Sequence, residues 1–97
     1  MPKAYWFTCY REIKHPDKVA AYAKLAVPAL APFGARYLAR GAPGATFESG
    51  LKERVVVTEW PSFEAAVAGH DSPAYQAALQ ALGDGAVRDI RIVEGLE

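Results

Sequence analysis

The sequence has little cysteine, no excess of charge of either sign and no long apolar run, and each of these shortages argues against a class of protein or site. Cys9 is the only cysteine, so no disulfide forms within the chain and an iron–sulfur cluster would lack ligands. Eleven basic and eleven acidic residues cancel, whereas nucleic-acid binders usually carry a basic excess. No apolar run approaches a membrane span, and no signal-peptide pattern opens the chain. We expect a cytoplasmic protein that binds neither nucleic acid nor a membrane.

Several signatures of enzymes are also missing. The chain contains no glycine-rich phosphate loop, no Gly-x-Ser-x-Gly elbow and no dinucleotide-binding fingerprint. The two histidines, His15 and His70, lack the spacing of metal ligands and have no accompanying cluster of cysteine or carboxylate residues. We therefore expect no metal and no cofactor.

What the sequence does contain is a strand, residues 54–61, that has the pattern of a strand buried on both faces. Three consecutive valines are β-branched and leave no solvated face, and Glu59 is the one carboxylate in the run. A first strand over residues 3–13 also has rings on both sides. Its two faces carry Tyr5, Phe7 and Cys9 on one side and Trp6, Thr8 and Tyr10 on the other. Both strands need cover above and below, and we expect Cys9 to be buried and inert.

Between these two strands, the sequence predicts a helix and an interrupted hairpin. Pro16 suits the first helical position, Gly34 favours the end of the helix, and Pro28 predicts a kink or a break within it. A further strand over residues 35–40 is interrupted by Gly-Ala-Pro-Gly and resumes at residues 46–48. We interpret the interruption as a bulge or kink in one long hairpin.

The C-terminal part predicts a second helix in two pieces and a final strand. Ser62 is a helix cap followed by a helix from Phe63. Gly69 weakens that helix, and Ser72 with the proline after it starts another. The last strand covers residues 87–95.

The resulting order, β-α-β-β-α-β, is typical of an α+β ferredoxin-like fold with a four-stranded antiparallel sheet. In that fold the helices cover one face of the sheet only. Because the central strands are apolar on both faces, the second face also needs cover, and another copy of the same sheet is the simplest solution. We therefore predict a homodimer; the alternative is a monomer with an unusually apolar sheet face.

Five stretches of the chain resemble one family. They are Arg-Tyr-Leu-Ala-Arg-Gly at 36–41, Glu-Ser-Gly at 48–50, Val-Val-Val-Thr-Glu-Trp-Pro-Ser-Phe-Glu-Ala-Ala at 55–66, Ser-Pro-Ala-Tyr-Gln at 72–76 and Val-Glu-Gly at 93–95. Together they resemble the DUF1330 family, a set of small bacterial proteins of undefined activity among the dimeric α/β-barrel proteins. The resemblance covers nearly the whole chain. It implies a single domain over residues 1–97 that forms a dimeric α/β barrel, and it implies no particular reaction.

The chain departs from the pattern of that family in two places. Gly69 and His70 stand where members often have a bulky aromatic pair, and His15 stands where members usually have an aspartate cap. If the aromatic pair lines a pocket in the relatives, the pocket of this chain is larger and more polar.

Glu59 and Arg40 are the first candidate site residues. A carboxylate beside buried valines needs a partner, which is typical of functional sites; the structural alternative is an ion pair with Arg36 across the hairpin. In the resembling family an arginine recurs at the position of Arg40, and a guanidinium can bind a substrate carboxylate through two hydrogen bonds. Equally, Arg40 could stabilise the kink that follows it.

His70 and Tyr75 complete the candidate set. An imidazole between two helical pieces can act as an acid or a base near neutral pH, and a plain surface position is the alternative. Tyr75 points inward if its helix packs as predicted, so its hydroxyl needs a partner, for which Glu59 or Arg40 would serve. The alternative for Tyr75 is a core position with a structural hydrogen bond.

These observations leave three hypotheses about function. The first is a homodimer that binds a small organic molecule in a pocket lined by Arg40, Glu59, His70 and Tyr75. The second, by analogy with related dimeric barrels, is a cofactor-independent monooxygenase or an isomerase in which Glu59 or His70 is the base. The third is a dimerisation module without a ligand, in which these polar residues are structural.

Overall fold

The sheet has β1 and β3 at its centre and a helical layer on one face. The structure is a computed structural model that describes residues 2–96. Its elements are β1 (Ala4–Ile13), α1 (Pro16–Leu30), a 3-10 turn (Ala31–Phe33), β2 (Arg36–Gly41), β3 (Val55–Trp60), α2 (Phe63–Asp71), α3 (Pro73–Leu82) and β4 (Ala86–Glu94). The strand order is β2-β3-β1-β4 and every pair is antiparallel. This confirms the predicted α+β ferredoxin-like fold.

The alternation in β1 places its side chains on the faces predicted from the sequence. Trp6, Thr8 and Tyr10 lie beneath the helices and are buried. Their neighbours Phe7 and Cys9 lie on the other face and are exposed. The prediction that Cys9 is buried is therefore wrong for the single chain, because no helix packs on that face of the sheet.

Pro28 does not break α1, which continues to Leu30. Of the predicted kink or break, the break is wrong, because Pro28 removes only the hydrogen bond to the carbonyl of Lys24, and both residues are exposed where water can replace it. Gly34 ends the following 3-10 turn with a φ of 90°, as predicted for a left-handed terminal position. A Cβ at Gly34 would also lie 2.7 Å from Cγ of Pro61. None of the helices within residues 2–96 is long and apolar enough to span a membrane.

The segment between β2 and β3 is a loop over residues 42–54, with no strand in it. The predicted continuation of the hairpin through residues 46–48 is therefore wrong. Pro43 cannot donate to a strand ladder, and the amide of Gly50 donates to the carbonyl of Phe47 across 2.9 Å, which closes a turn instead. A register shift does occur, but earlier, between Tyr37 and Ala39 within β2.

The core is built around two stacked indoles. The rings of Trp6 and Trp60 have centroids 5.4 Å apart at an interplanar angle of 15°. A Cβ on Gly69 would lie 2.9 Å from the ring of Trp60, so the absence of a side chain at Gly69 lets α2 approach the indole closely. Ser72 separates α2 from α3 as predicted, since its hydroxyl donates to the carbonyl of Gly69 and accepts from the amide of Tyr75.

Candidate functional site

A cavity of about 40 Å³ lies between α1 and the sheet. Tyr22, Ala23 and Ala26 of α1 form its roof. Its floor comes from helix-facing side chains of all four strands. The complete lining is Trp6, Thr8, Tyr10, Val19, Tyr22, Ala23, Ala26, Val27, Leu30, Tyr37, Arg40, Arg54, Val56, Thr58 and Arg88. Apolar walls with a few polar groups are the usual composition of a ligand site.

Three arginines line this cavity, and they come from one end of the sheet. Arg88 of β4 is the register partner of Tyr10 in β1. The carbonyl of Arg54 accepts a hydrogen bond from the amide of the same Tyr10, and Arg40 of β2 pairs with Val56, two residues after Arg54. The lining contains no aspartate or glutamate, so the cavity has a positive end.

The three cavity arginines differ from the others in their partners. Outside the cavity, Arg11, Arg36 and Arg91 each approach a carboxylate oxygen within 4 Å, at 3.1, 3.9 and 3.1 Å. Within residues 2–96, Arg40, Arg54 and Arg88 have no carboxylate at that distance. Their charge is therefore available to a bound group.

Arg88 is the most deeply placed of the three. Its guanidinium carbon lies 4.5 Å from the ring centroid of Tyr22 and 5.5 Å from that of Tyr10, so the two rings hold it by cation–π contact. Burial lowers the pKa of Arg88, but the neighbouring phenol groups of Tyr22 and Tyr75 outweigh it and raise the pKa above its ordinary value. Atom Nη1 is buried and has no hydrogen-bond partner within the described residues.

Trp6 supplies a second buried donor without a partner. Its side chain is 3% exposed, and its Nε1 finds no acceptor among residues 2–96. The other tryptophan is satisfied, since Nε1 of Trp60 donates to Oγ1 of Thr58 across 2.9 Å. A buried N–H without an acceptor costs free energy, so the indole of Trp6 has an unmet hydrogen-bonding capacity.

Tyr75 stands behind the cavity wall rather than in the lining. Its hydroxyl lies 2.8 Å from that of Tyr22, so the predicted partners Glu59 and Arg40 are wrong. Tyr22 comes from α1, which reaches Tyr75 because α1 and α3 pack side by side. Burial, helped by the phenol of Tyr22, raises the pKa of Tyr75 well above its ordinary value, so Tyr75 remains a neutral phenol.

His70 lies in the last turn of α2 and also stands behind the wall. Its ring centroid is 5.8 Å from the ring of Trp6 and 5.3 Å from that of Tyr75. On its outer side, Nδ1 lies 2.9 Å from Oδ1 of Asp71. His70 therefore packs on the aromatic cluster above the central strand β1, in contact with Trp6 and Tyr75.

Glu59 is on the other face of the sheet. It pairs in register with Tyr5 of β1 and with Arg36 of β2. Its Oε1 lies 3.4 Å from Nζ of Lys3 and 3.9 Å from Nη1 of Arg36. The ion pair with Arg36 that was predicted as the structural alternative is present.

The structure thus brings the four predicted site residues together only in part. Arg40 lines the cavity, His70 and Tyr75 pack against its walls from behind, and Glu59 faces away from it.

Sequence reasoning missed Arg88, although a signal was present. Arg88 has the same strand parity as Ile90 and Ile92, so it is a charged residue on the face that carries these two isoleucines. The contributions of Arg54 and Tyr22 depend on how α1 crosses the sheet.

Comparison with known proteins places this geometry in a family. The model of a domain of unknown function, DUF1330, matches residues 3–96. No curated protein matches the sequence. A protein of unknown function from Rhodopseudomonas palustris is similar in structure, with a TM-score of 0.74 at 19% identity over 99% of this chain and 84% of that chain.

Two further solved structures share the fold. A dimeric ferredoxin-like protein of unknown function from Thermobifida fusca has a TM-score of 0.62 at 22% identity, over 99% of this chain and 92% of that chain. SnoaB, a cofactor-independent oxygenase from Streptomyces nogalater, has a TM-score of 0.70 at 9% identity, over 100% of this chain and 96% of that chain. At these identities the likeness establishes a common fold and nothing about activity.

Proposed function

The chain belongs to the DUF1330 family, and we propose that it acts as a homodimer that binds a small organic molecule in the cavity beneath α1. The observation that carries this proposal is the lining, in which aliphatic and aromatic walls surround a few polar groups. In this proposal Arg40 contacts the ligand, while His70 and Tyr75 hold the wall residues in place. Glu59 acts outside the cavity, on the sheet face that the second subunit covers.

The size of the cavity limits the ligand. At about 40 Å³ it exceeds the ~10–15 Å³ that a single water needs, so it accepts a group of a few heavy atoms without rearrangement. Arg40 and Val27 are exposed lining residues, so a larger molecule can enter beside them if the side chain of Arg40 turns aside. A compact ligand, or one end of a longer ligand, fits this site.

The uncovered sheet face supports the dimer. Phe7, Val87 and Val93 are 37%, 41% and 53% exposed there. The charge of Asp89 on this face is already paired, because Arg11 and Arg91 each donate to it at 3.1 Å. Covering paired charges costs less than covering isolated ones, so a second copy of the sheet can pack here. The Thermobifida fusca protein with this fold is described as dimeric.

The loop over residues 42–54 extends the same surface. It borders a groove of about 550 Å³ that also contains Cys9 and Asp89. Phe47 and Leu51 of this loop are 81% and 48% exposed. A subunit packed on the sheet would give these apolar side chains a surface to contact.

Blocking the cavity tests the binding function. Ala23 is a half-buried roof residue, and Ala20 in the same helix is exposed and outside the lining. We expect benzyl alcohol, benzamide or benzoate to shift the backbone NMR signals of the lining residues saturably in the wild-type protein and in Ala20→Leu. Ala23→Leu should abolish those shifts, because its side chain fills the space. If none of the three probes shifts the lining signals, or if both variants bind alike, the proposed site is wrong.

A second candidate function is oxygenase chemistry of the cofactor-independent kind. The observation in its favour is the similarity of fold to SnoaB over the entire chain. The cavity lining contains no imidazole or carboxylate, so His70 would have to reach a substrate past Trp6. Oxygen uptake with electron-rich phenols as probes, lost in His70→Asn and unchanged in His15→Asn, would favour this function over simple binding.

A further inference from the structure

From the charge and the unsatisfied donors of the cavity we infer that its ligand is a small organic anion, a carboxylate on a short apolar stem, anchored by Arg88. This inference rests on the proposed binding function. It adds the chemical class of the ligand and assigns the anchoring role to a residue in the last strand.

The first argument is the distribution of charge. The whole chain has a net charge of zero, yet the cavity lining has three arginines and no carboxylate. The arginines elsewhere approach carboxylates. A concave site of one sign with low-dielectric walls attracts molecules of the opposite sign. A bound anion would neutralise the arginine charges of the cavity, which no carboxylate of the lining neutralises.

The second argument is the geometry of Arg88. Its guanidinium lies against the rings of Tyr22 and Tyr10, so its plane is held while Nη1 remains buried without an acceptor in the described chain. A buried guanidinium N–H without an acceptor is costly. A planar carboxylate is the acceptor that a fixed guanidinium edge binds best, through charge-assisted hydrogen bonds. Arg88 is thus preorganised for an anion that the polypeptide does not supply.

The third argument is the second unsatisfied donor. Trp6 lines the same cavity, and its indole N–H is buried without an acceptor in residues 2–96. It precedes Tyr10, the register partner of Arg88, by four positions along β1, which is about 13 Å of strand. The guanidinium carbon of Arg88 lies 4.5 Å from the ring centroid of Tyr22 in α1, so the side chain extends from β4 toward that helix. A ligand with its carboxylate at Arg88 and a second acceptor toward Trp6 would satisfy both donors.

The test compares matched acids and amides. We expect benzoate to bind at least about tenfold more tightly than benzamide, and propionate more tightly than propionamide, in low-salt NMR titrations, because only the acids form charge-assisted hydrogen bonds. Arg88→Met should remove that preference, so that benzoate binds no more tightly than benzamide. Arg36→Met, which removes the same charge from the other face of the sheet, should keep the preference.

The two indole N–H signals provide an independent readout. The chain has two tryptophans, and Trp60 already donates to Thr58. Succinamate, which carries an amide oxygen as a second acceptor beside its carboxylate, should move the Trp6 indole proton downfield and leave the Trp60 signal in place. The wild-type comparison needs no variant, so it stands even if Arg88→Met fails to fold.

The possible failures are distinguishable. If acids and amides shift the lining signals with equal affinity, the cavity binds small molecules but the inferred anion preference is wrong. If Arg36→Met loses the preference as fully as Arg88→Met, the preference comes from overall charge and Arg88 is not the anchor. If no probe shifts the lining signals at all, the proposed binding function fails, and the inference fails with it.

Discussion

Truncating Phe7 to alanine should weaken the proposed dimer about a hundredfold. Phe7 lies on the uncovered sheet face, between Val57 and Arg91 in register, and is 37% exposed. A phenylalanine presents about 200 Å², so about 75 Å² would become buried on association. At about 25 cal/mol per Å² the burial of this area contributes about 2 kcal/mol to association. An alanine side chain at the same position would keep roughly a quarter of that contribution. A twofold interface contains the residue twice, so the loss is about 3 kcal/mol, or about two decades in Kd.

Sedimentation equilibrium over a range of protein concentrations measures this Kd directly. The matched control is Leu25→Ala, because Leu25 is 45% exposed on α1, on the opposite side of the molecule and outside the cavity lining. The control should dissociate as the wild-type protein does. A wild-type protein that remains monomeric at all concentrations would refute the reasoning. So would a dimer that Leu25→Ala weakens and Phe7→Ala does not, since the subunits would then meet through their helices.

The remaining predictions concern the core beneath the cavity and are checked by thermal and denaturant unfolding. Gly69→Ala should lower the free energy of unfolding by about 1 kcal/mol and Tm by about 4–8 °C. The new Cβ would lie 2.9 Å from the ring of Trp60, and the cost of that close contact outweighs the gain in helix propensity. A higher Tm would mean that the indole moves aside without cost. Tyr75→Phe should cost about 1 kcal/mol near neutral pH, because the hydrogen bond to Tyr22 is lost. Burial raises the pKa of Tyr75 above the 10.0 of an unperturbed tyrosine, so above about pH 10 the unfolded chain loses a proton that the folded chain retains, and stability falls as pH rises. That alkaline fall should be smaller in Tyr75→Phe, and an unchanged slope would show that Tyr75 is not its source.

Local patterns predicted the elements well and the site only in part. The apolar alternation in β1, the cap at Ser72 and the glycine at the end of the first helical segment each act through neighbours in sequence, and each was confirmed. The break at Pro28 was wrong because the cost of a proline depends on whether the carbonyl it leaves unpaired is exposed to water.

The errors at the site have a common cause. Glu59 was predicted to share a pocket with Arg40 because it lies beside the buried valines of β3. The strand register puts the two side chains on opposite faces of the sheet. Tyr75 was expected to reach a charged partner and instead meets Tyr22, a residue 53 positions away in the chain. Such assignments depend on how the helices lie across the sheet, which no local pattern specifies.

The sequence by itself determined the order of the elements, the faces of the central strands and the family, because propensity, alternation and motifs act over a few neighbouring residues. Only the tertiary structure decided that Arg40, Arg54 and Arg88, which lie far apart in the chain, share one cavity without a carboxylate. It also decided which of two tryptophans has a hydrogen-bond acceptor. The physical reason is that a site is a set of distances between elements, and those distances are set by the packing of α1 on the sheet.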